Sequence, residues 1–268
     1  MSDHNENKIR IFLLSLLPPV LLLGAETALF FSLPHLNRFI AYFAFAVLSA
    51  QLVLQVVFIK GEICNGQRFR LVNAALYLAL YWVGLLLLGA LAEKRYIPLM
   101  LLIVSGLLTL FAVWQQPKED ERLQRALLLF ANVCALLGVL AYLAIWWNLP
   151  RAEWLSYSPF SQLFLAVVLA NWLLRVSRNR LQGLLQLLPR LMLLTLLLNA
   201  VYSVIVLLLL YFNLITVITP LSGFILYFVV HLLAAAMLGG SISKNNPLRL
   251  PHLAVLLILA LSFPFWLT

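Results

Sequence analysis

The sequence predicts an all-α integral membrane protein, and composition and hydropathy are the observations that predict this fold class. Hydrophobic residues make up 64% of the 268 residues, charged residues make up 10%, and the mean hydropathy is +1.03. Soluble domains are roughly half apolar and about a quarter charged, so this chain has too few charges to cover a water-facing surface. The composition therefore excludes a soluble enzyme, a secreted disulfide scaffold and a nucleic-acid-binding protein.

Apolar stretches recur along the chain, and we predict that nine of them cross the bilayer. A helix that crosses the hydrocarbon core needs about 20 apolar residues. The predicted spans are 11–33, 39–59, 71–91, 97–114, 126–147, 160–174, 191–212, 217–238 and 251–267. The first span is too long for a cleaved signal peptide and has no Ala-x-Ala exit, so we interpret it as a retained helix. The sixth span is short, and the eighth contains Pro220.

Basic residues give the predicted orientation, because Lys and Arg concentrate in the short cytoplasmic loops of membrane proteins. Placing the N-terminus in the cytoplasm puts most of them there: Lys8, Arg10, Lys60, Arg68, Arg70, Lys118, Arg122, Arg125, Arg175, Arg178, Arg180, Arg190, Lys244 and Arg249. The other side holds Arg38, Lys94, Arg95 and Arg151. We therefore predict a bacterial-type inner-membrane protein with its C-terminus outside. Orientation and contact with anionic lipids account for the net charge of +9 without a nucleic-acid partner.

Four weak matches within the chain predict an internal repeat. In order, 22–24 resembles 136–138, 46–56 resembles 166–176, Asn73-Ala74 resembles Asn199-Ala200, and Ser105-Gly106 resembles Ser222-Gly223. The four offsets are 114, 120, 126 and 117 residues. Because duplicated halves are common in membrane proteins, we predict a single transmembrane domain with two four-helix halves of the same orientation. They cover about 11–114 and 126–238, and one helix at 251–267 follows them.

The stretch after the sixth span carries a resemblance to a known family. Asn171, Arg180 and Gly183 match the pattern Asn-x-x-x-Asp-x-x-x-Asp-Arg-x-x-Gly, while Arg175 and Asn179 stand at its two aspartate positions. This pattern is typical of the UbiA-type membrane prenyltransferases of the quinone-pathway branch that prenylates dihydroxynaphthoate. The elements Arg10 and Pro19-Val20-Leu21-Leu22-Leu23-Gly24 resemble the first helix of that family, whose plan is also two four-helix halves plus one helix.

The resemblance implies transfer of a polyprenyl group to an aromatic acceptor, with Mg²⁺ held by two acidic motifs. The first acidic motif would fall on residues 55–59 before Lys60-Gly61, where Val56 and Ile59 stand at the aspartate positions. Valine and isoleucine cannot ligate a metal, and Arg175 would repel one. We therefore expect a divergent member that binds an isoprenoid or quinone-like lipid and has lost Mg²⁺-dependent transfer. We expect no cofactor, and Mg²⁺ only if the family activity persists. A transporter of small molecules or lipids is the alternative.

Candidate binding residues follow from the resemblance and from the basic loop. Guanidinium groups bind phosphate through paired hydrogen bonds, although ordinary cytoplasmic charge explains the same arginines. Residues 175–190, with the apolar stretch 184–188, are typical of an interfacial helix. The candidates for lipid or diphosphate binding are Asn171, Arg175, Arg178, Asn179, Arg180, Gln55 and Lys60.

Two ionisable residues lie inside predicted spans, where such groups are functional candidates. Glu26 is interpreted either as a proton or cation site, which favours transport, or as an outward group that reaches water or pairs with Arg38. His231 is either a proton relay or a hydrogen-bonded structural residue. Buried amides serve as interhelical hydrogen-bonding groups or line a polar cavity. These amides are Gln51, Gln55, Asn73, Asn132, Asn171 and Asn199.

The remaining chemistry-bearing residues predict no metal or redox site. Cys64 and Cys134 are too few for a disulfide framework. The sequence has no Gly-rich phosphate loop and no His-Glu-x-x-His metal motif. Membrane lipids, including an isoprenoid or quinone precursor, are the partners that we expect; the sequence names no protein partner.

Overall fold

The structure, a computed structural model, describes residues 2–32, 40–61, 63–92, 96–117, 120–178, 181–212, 221–243 and 248–267. Within these ranges every regular element is helical. The α-helices are α1 (Ser2–Ser32), α2 (Ala44–Lys60), α3 (Asn65–Leu76), α4 (Leu78–Leu91), α5 (Ile97–Trp114), α6 (Glu121–Trp147), α7 (Pro159–Val176), α8 (Gln182–Tyr211), α9 (Leu221–Ser243) and α10 (Leu250–Leu267). A short 3₁₀ turn at Arg151–Glu153 precedes α7.

Eight helical stretches of the described chain are long and apolar enough to cross a membrane, and α3 and α4 together form one of them. The helix in the second predicted span, α2, has 17 residues and lies at the short end of the crossing range. Each predicted span thus contains a helix, and the all-helical class is confirmed. The count of nine crossings and the internal repeat stay predictions.

Several helices begin or end some residues away from the approximate limits of the predicted spans. The second helix begins at Ala44 rather than at residue 39, and the third begins at Asn65 rather than at residue 71. No separate interfacial helix occurs in the described chain, because Gln182–Tyr211 is one continuous helix and 182–190 forms its first turns. Leu185 and Leu188 are buried in the bundle. Packing of the apolar side chains therefore extends α8, and Pro189 does not interrupt it.

Two helices form the centre of the bundle. α2 and α7 pack against each other, and α1, α6, α8 and α10 each pack against one or both of them. Fourteen of the 18 residues of α7 are buried, whereas only eight of the 30 residues of α8 are. The outer helices expose large apolar side chains, among them Leu87, Leu129, Leu197 and Leu232. Such a surface is stable in lipid, so the bundle presents hydrocarbon outward and keeps its polar groups inside.

Cross-helix hydrogen bonds fix which helix ends lie together. The Arg70 Nε donates to the Ser177 carbonyl at 3.1 Å, so the start of α3 lies beside the end of α7. We call this the basic end, because it carries Lys60, Arg68, Arg70, Arg175 and Arg178. The opposite end, where the last turns of α1 contact the start of α2, is called the Glu26 end.

A tryptophan of α7 compensates for a proline of α1. Pro18 has no N–H, so the Leu14 carbonyl lacks its usual intrahelical donor. The Trp172 Nε1 donates to that carbonyl at 2.7 Å. Because a carbonyl without a donor is costly inside a membrane protein, this bond lets α1 continue through Pro18 and Pro19 and ties it to α7.

Candidate functional site

Four of the polar residues on the two central helices form a group that we call the polar column: Gln51 and Gln55 of α2, and Asn171 and Arg175 of α7. Each pair is spaced by four residues, so its members share one helix face. Gln51, Gln55 and Asn171 are 3%, 1% and 0% exposed, and Arg175 is half-buried. The internal match at an offset of 120 residues pairs Gln51 with Asn171 and Gln55 with Arg175.

The polar atoms of the column have no protein partner. Both amide atoms of Gln51, Gln55 and Asn171 lack a hydrogen bond within the described residues, as do Nε and Nη2 of Arg175. Leaving a buried polar group without a partner costs about 1–3 kcal/mol, and such groups are rare in folded proteins. Three orphaned amides and one guanidinium on two packed helices therefore make the polar column the candidate site for a polar ligand.

Interhelical hydrogen bonding, one of the two alternatives for the amides, is thus not seen for these three residues within the described chain. It is seen for Asn199, whose side chain bonds to residues of two other elements. Asn73 is exposed and Asn132 is half-buried. A Leu-rich sequence does not reveal which amides find partners, because that depends on the rotation of each helix about its axis.

The remaining candidates from the sequence lie at the basic end or outside the described chain. Lys60 ends α2 and is exposed. Arg178 is exposed in the turn after α7 and adopts the left-handed conformation, with φ of 53°. Asn179 and Arg180 lie outside the described residues. The structure therefore brings Gln55, Asn171 and Arg175 onto the packed central helices, and Lys60 and Arg178 to the same end of the bundle.

The residues do not fit a magnesium site. Val56 and Ile59, which stand at the family's first aspartate positions, are 59% and 46% exposed. Carboxylates at these positions would face away from the buried face that carries Gln51 and Gln55. No cluster of three or more His, Cys, Asp or Glu side chains occurs in the part of the chain that the structure describes. The second motif supplies the guanidinium of Arg175 where the family has a carboxylate.

Glu26 is fully buried and holds the beginning of α2. Its Oε2 accepts the Tyr42 N–H at 3.1 Å, and its Oε1 accepts the Phe43 N–H at 2.7 Å and the Tyr81 hydroxyl at 2.8 Å. The first N–H groups of a helix lack intrahelical partners, and a carboxylate also complements the helix dipole there. The expectation that Glu26 reaches water is wrong, and Arg38 lies outside the described residues.

His231 belongs to a closed hydrogen-bond network with Asn199. The Ser158 hydroxyl donates to Asn199 Oδ1 at 2.6 Å, and Asn199 Nδ2 lies 2.8 Å from Tyr227 Oη and 2.7 Å from His231 Nε2. Ser203 donates to the Asn199 carbonyl, which leaves its oxygen to accept the Tyr227 hydroxyl at 3.0 Å. The network joins α8 and α9 to the start of α7.

The network also fixes the tautomer of His231. Asn199 Nδ2 is a donor, so Nε2 of His231 accepts, and the ring proton lies on Nδ1, which is 2.9 Å from the Tyr227 carbonyl. Phe263 of α10 stacks on the ring at 4.5 Å between centroids. Every polar side-chain atom of Asn199 and His231 has a hydrogen-bond partner. This site therefore holds α8, α9, α10 and the start of α7 together.

Replacing Asn199 with alanine should destabilise the protein. The change removes three side-chain hydrogen bonds, so Ser158, Tyr227 and His231 each lose one hydrogen-bond partner in a buried site. We expect the free energy of unfolding to fall by about 2–4 kcal/mol, measured by denaturation in mixed micelles. The matched variant Asn73→Ala removes an exposed amide and should change stability by less than about 0.5 kcal/mol. Equal stability of the two variants would contradict the network.

Comparison with known proteins gives the class of the chain. A family model described as an integral membrane domain matches residues 4–268. The chain belongs to this family and is a multi-pass integral membrane protein. It is similar to a protein of Haemophilus influenzae, described as an uncharacterized protein, at 35% identity over 267 residues; the alignment covers 100% of this chain and 99% of that protein. No solved structure matches the chain.

Proposed function

We propose that this protein binds an isoprenoid or quinone-like lipid in the bacterial inner membrane, with the polar head of the lipid held by the polar column. The observation that carries the proposal is the set of buried, unpartnered polar groups on Gln51, Gln55, Asn171 and Arg175. The isoprenoid class rests on the resemblance to the UbiA-type family in the Asn171 to Gly183 stretch. The cytoplasmic N-terminus is part of the same proposal.

The chemistry of the column suits oxygen-rich head groups. Each amide offers two N–H donors and a carbonyl acceptor, so it can bind a quinone carbonyl or a phenolic hydroxyl. The Arg175 guanidinium can bind a carboxylate or phosphate oxygen, and no carboxylate of the described residues forms an ion pair with it. Most other side chains of α2 and α7 are apolar, which suits contact with a hydrocarbon chain.

The same geometry disfavours prenyl transfer. Departure of a diphosphate needs strong stabilisation of its charge, which the family supplies with metal ions. At the family's metal-binding positions this chain has two outward-facing aliphatic residues, Val56 and Ile59, and the cation of Arg175. We therefore propose binding without Mg²⁺-dependent turnover.

An activity assay tests this part of the proposal. Purified protein supplied with a prenyl diphosphate, Mg²⁺ and an aromatic acid should yield no more prenylated product than the variant Asn171→Leu, because the residues do not hold the metal. Product is measured by mass spectrometry. Robust Mg²⁺-dependent product from the wild type, absent in Asn171→Leu, would contradict loss of turnover and support prenyltransferase activity.

Transport that uses Glu26 as a proton or cation site is less well supported. Both carboxyl oxygens of Glu26 are occupied by donors from Tyr42, Phe43 and Tyr81. The side chain is 0% exposed, so it does not face a water-filled cavity. These contacts give Glu26 a structural role at the start of α2.

A further inference from the structure

A cavity at the basic end combines a cationic group with an apolar wall. It has a volume of about 620 Å³ and lies between the end of α2, the start of α3 and the first turns of α6. Phe58, Leu128 and Leu129 line its apolar side, and its polar side is lined by Arg68, Glu121, Gln124, Arg125 and Asn132. Pockets of this size hold small ligands or lipid head groups with part of their chains.

Arg68 is the group that gives this cavity its chemistry. Its Nε is buried without a hydrogen-bond partner, and its Nη1 makes only a long contact of 3.4 Å with Gln116 Oε1. Arg125 also lines the cavity and pairs with Glu121 at 3.4 Å, with both side chains largely exposed. No carboxylate in the described ranges forms an ion pair with Arg68. An anion is therefore the complementary ligand.

The apolar wall of the cavity indicates that the ligand carries a hydrocarbon chain as well as an anionic group. Phe58 and Leu128 are 3% and 5% exposed, whereas Leu129 is 66% exposed on the lipid-facing surface. The wall therefore runs from the interior of the cavity to the bilayer. A ligand with its anionic group at Arg68 can leave its chain in contact with Leu129 and the surrounding lipid.

We propose that this cavity is a binding site for an anionic phospholipid, with the phosphate at Arg68 and an acyl chain along Phe58, Leu128 and Leu129. The cavity is distinct from the polar column, none of whose residues lines it. The proposal does not rest on the proposed function. Arginine recognises phosphate through paired N–H donors, and the net local charge of Arg68, Arg125 and Glu121 is positive.

The test compares Arg68→Gln with Arg122→Gln in the purified full chain. Both variants remove one positive charge at the same end, but Arg122 is exposed and does not line the cavity. Native mass spectrometry in neutral detergent measures binding of phosphatidylglycerol, of phosphatidylcholine with the same chains, and of inorganic phosphate. We expect phosphatidylglycerol to bind preferentially, about tenfold more weakly in Arg68→Gln, and unchanged in Arg122→Gln.

A variant with unchanged charge distinguishes binding in the cavity from general attraction between anionic lipids and basic residues. Leu129→Trp should weaken phosphatidylglycerol binding because the larger side chain fills part of the cavity. Gln55→Leu should leave it unchanged, so failure of this proposal and failure of the polar column give different results. Equal binding by Arg68→Gln and Arg122→Gln, equal binding of phosphatidylcholine, or equally tight binding of inorganic phosphate would overturn the proposal.

Discussion

Glu26→Ala should lower the free energy of unfolding by about 3–5 kcal/mol, because it leaves three buried donors without an acceptor. The Tyr42 and Phe43 N–H groups lie immediately before α2, and the Tyr81 hydroxyl comes from α4. Without the carboxyl group these three donors have no acceptor, because the site is buried and water does not reach it. Denaturant titration in mixed micelles, followed by circular dichroism, measures the change.

Two other variants should lower the free energy of unfolding by less than Glu26→Ala does. Tyr81→Phe removes one of the three donors and should cost about 1 kcal/mol. Glu121→Ala removes an exposed carboxylate at the opposite end of the bundle and should cost less than about 1 kcal/mol. If Glu26→Ala were as stable as Glu121→Ala, Glu26 would not be the group that holds α2.

Gln55→Leu and Asn171→Leu should abolish retention of the bound lipid while raising the stability of the lipid-free protein. Each change removes unpartnered amide atoms from a buried position and replaces them with apolar atoms of similar volume. We expect a gain of about 1–2 kcal/mol per substitution, because the cost of burying an unsatisfied amide disappears. Retained lipid is measured by extraction from the purified protein, and stability by thermal denaturation.

Asn73→Leu is the matched control, since it makes the same chemical change at an exposed position of α3. It should alter neither lipid retention nor stability by a measurable amount. Loss of stability in Gln55→Leu and Asn171→Leu, with lipid still retained, would mean that the amides are structural.

The helical stretches could be predicted from the sequence because a bilayer crossing requires a long apolar run whatever the rest of the fold does. The ends of the helices could not be predicted in this way. The start of α2 depends on Glu26, a residue 18 positions before Ala44, and no local signal links the two. The first turns of α8 carry Gln182, Gln186 and Arg190 among leucines, a pattern that is typical of a surface helix. Leu185 and Leu188 of these turns nevertheless pack inside the bundle.

The candidate site could be predicted only in part. The predicted repeat pairs Gln51 with Asn171, and the same offset of 120 residues pairs Gln55 with Arg175. The structure places these residues on the two packed central helices. Their lack of partners could not be predicted, because each helix's rotation decides what an amide meets. The same rotation turns Val56 and Ile59 outward, which the linear motif could not reveal. The Arg68 cavity could not be predicted from the sequence, because its walls come from three helices.

Mass spectrometry of the lipid that stays with the purified protein tests the central claim most directly. Wild-type protein and Asn73→Leu should carry an isoprenoid or quinone-like lipid near one molecule per chain, and Gln55→Leu and Asn171→Leu should carry none above the level of bulk membrane lipid. If the four proteins carried the same lipids in the same amounts, Gln51, Gln55, Asn171 and Arg175 would not form a lipid-binding site.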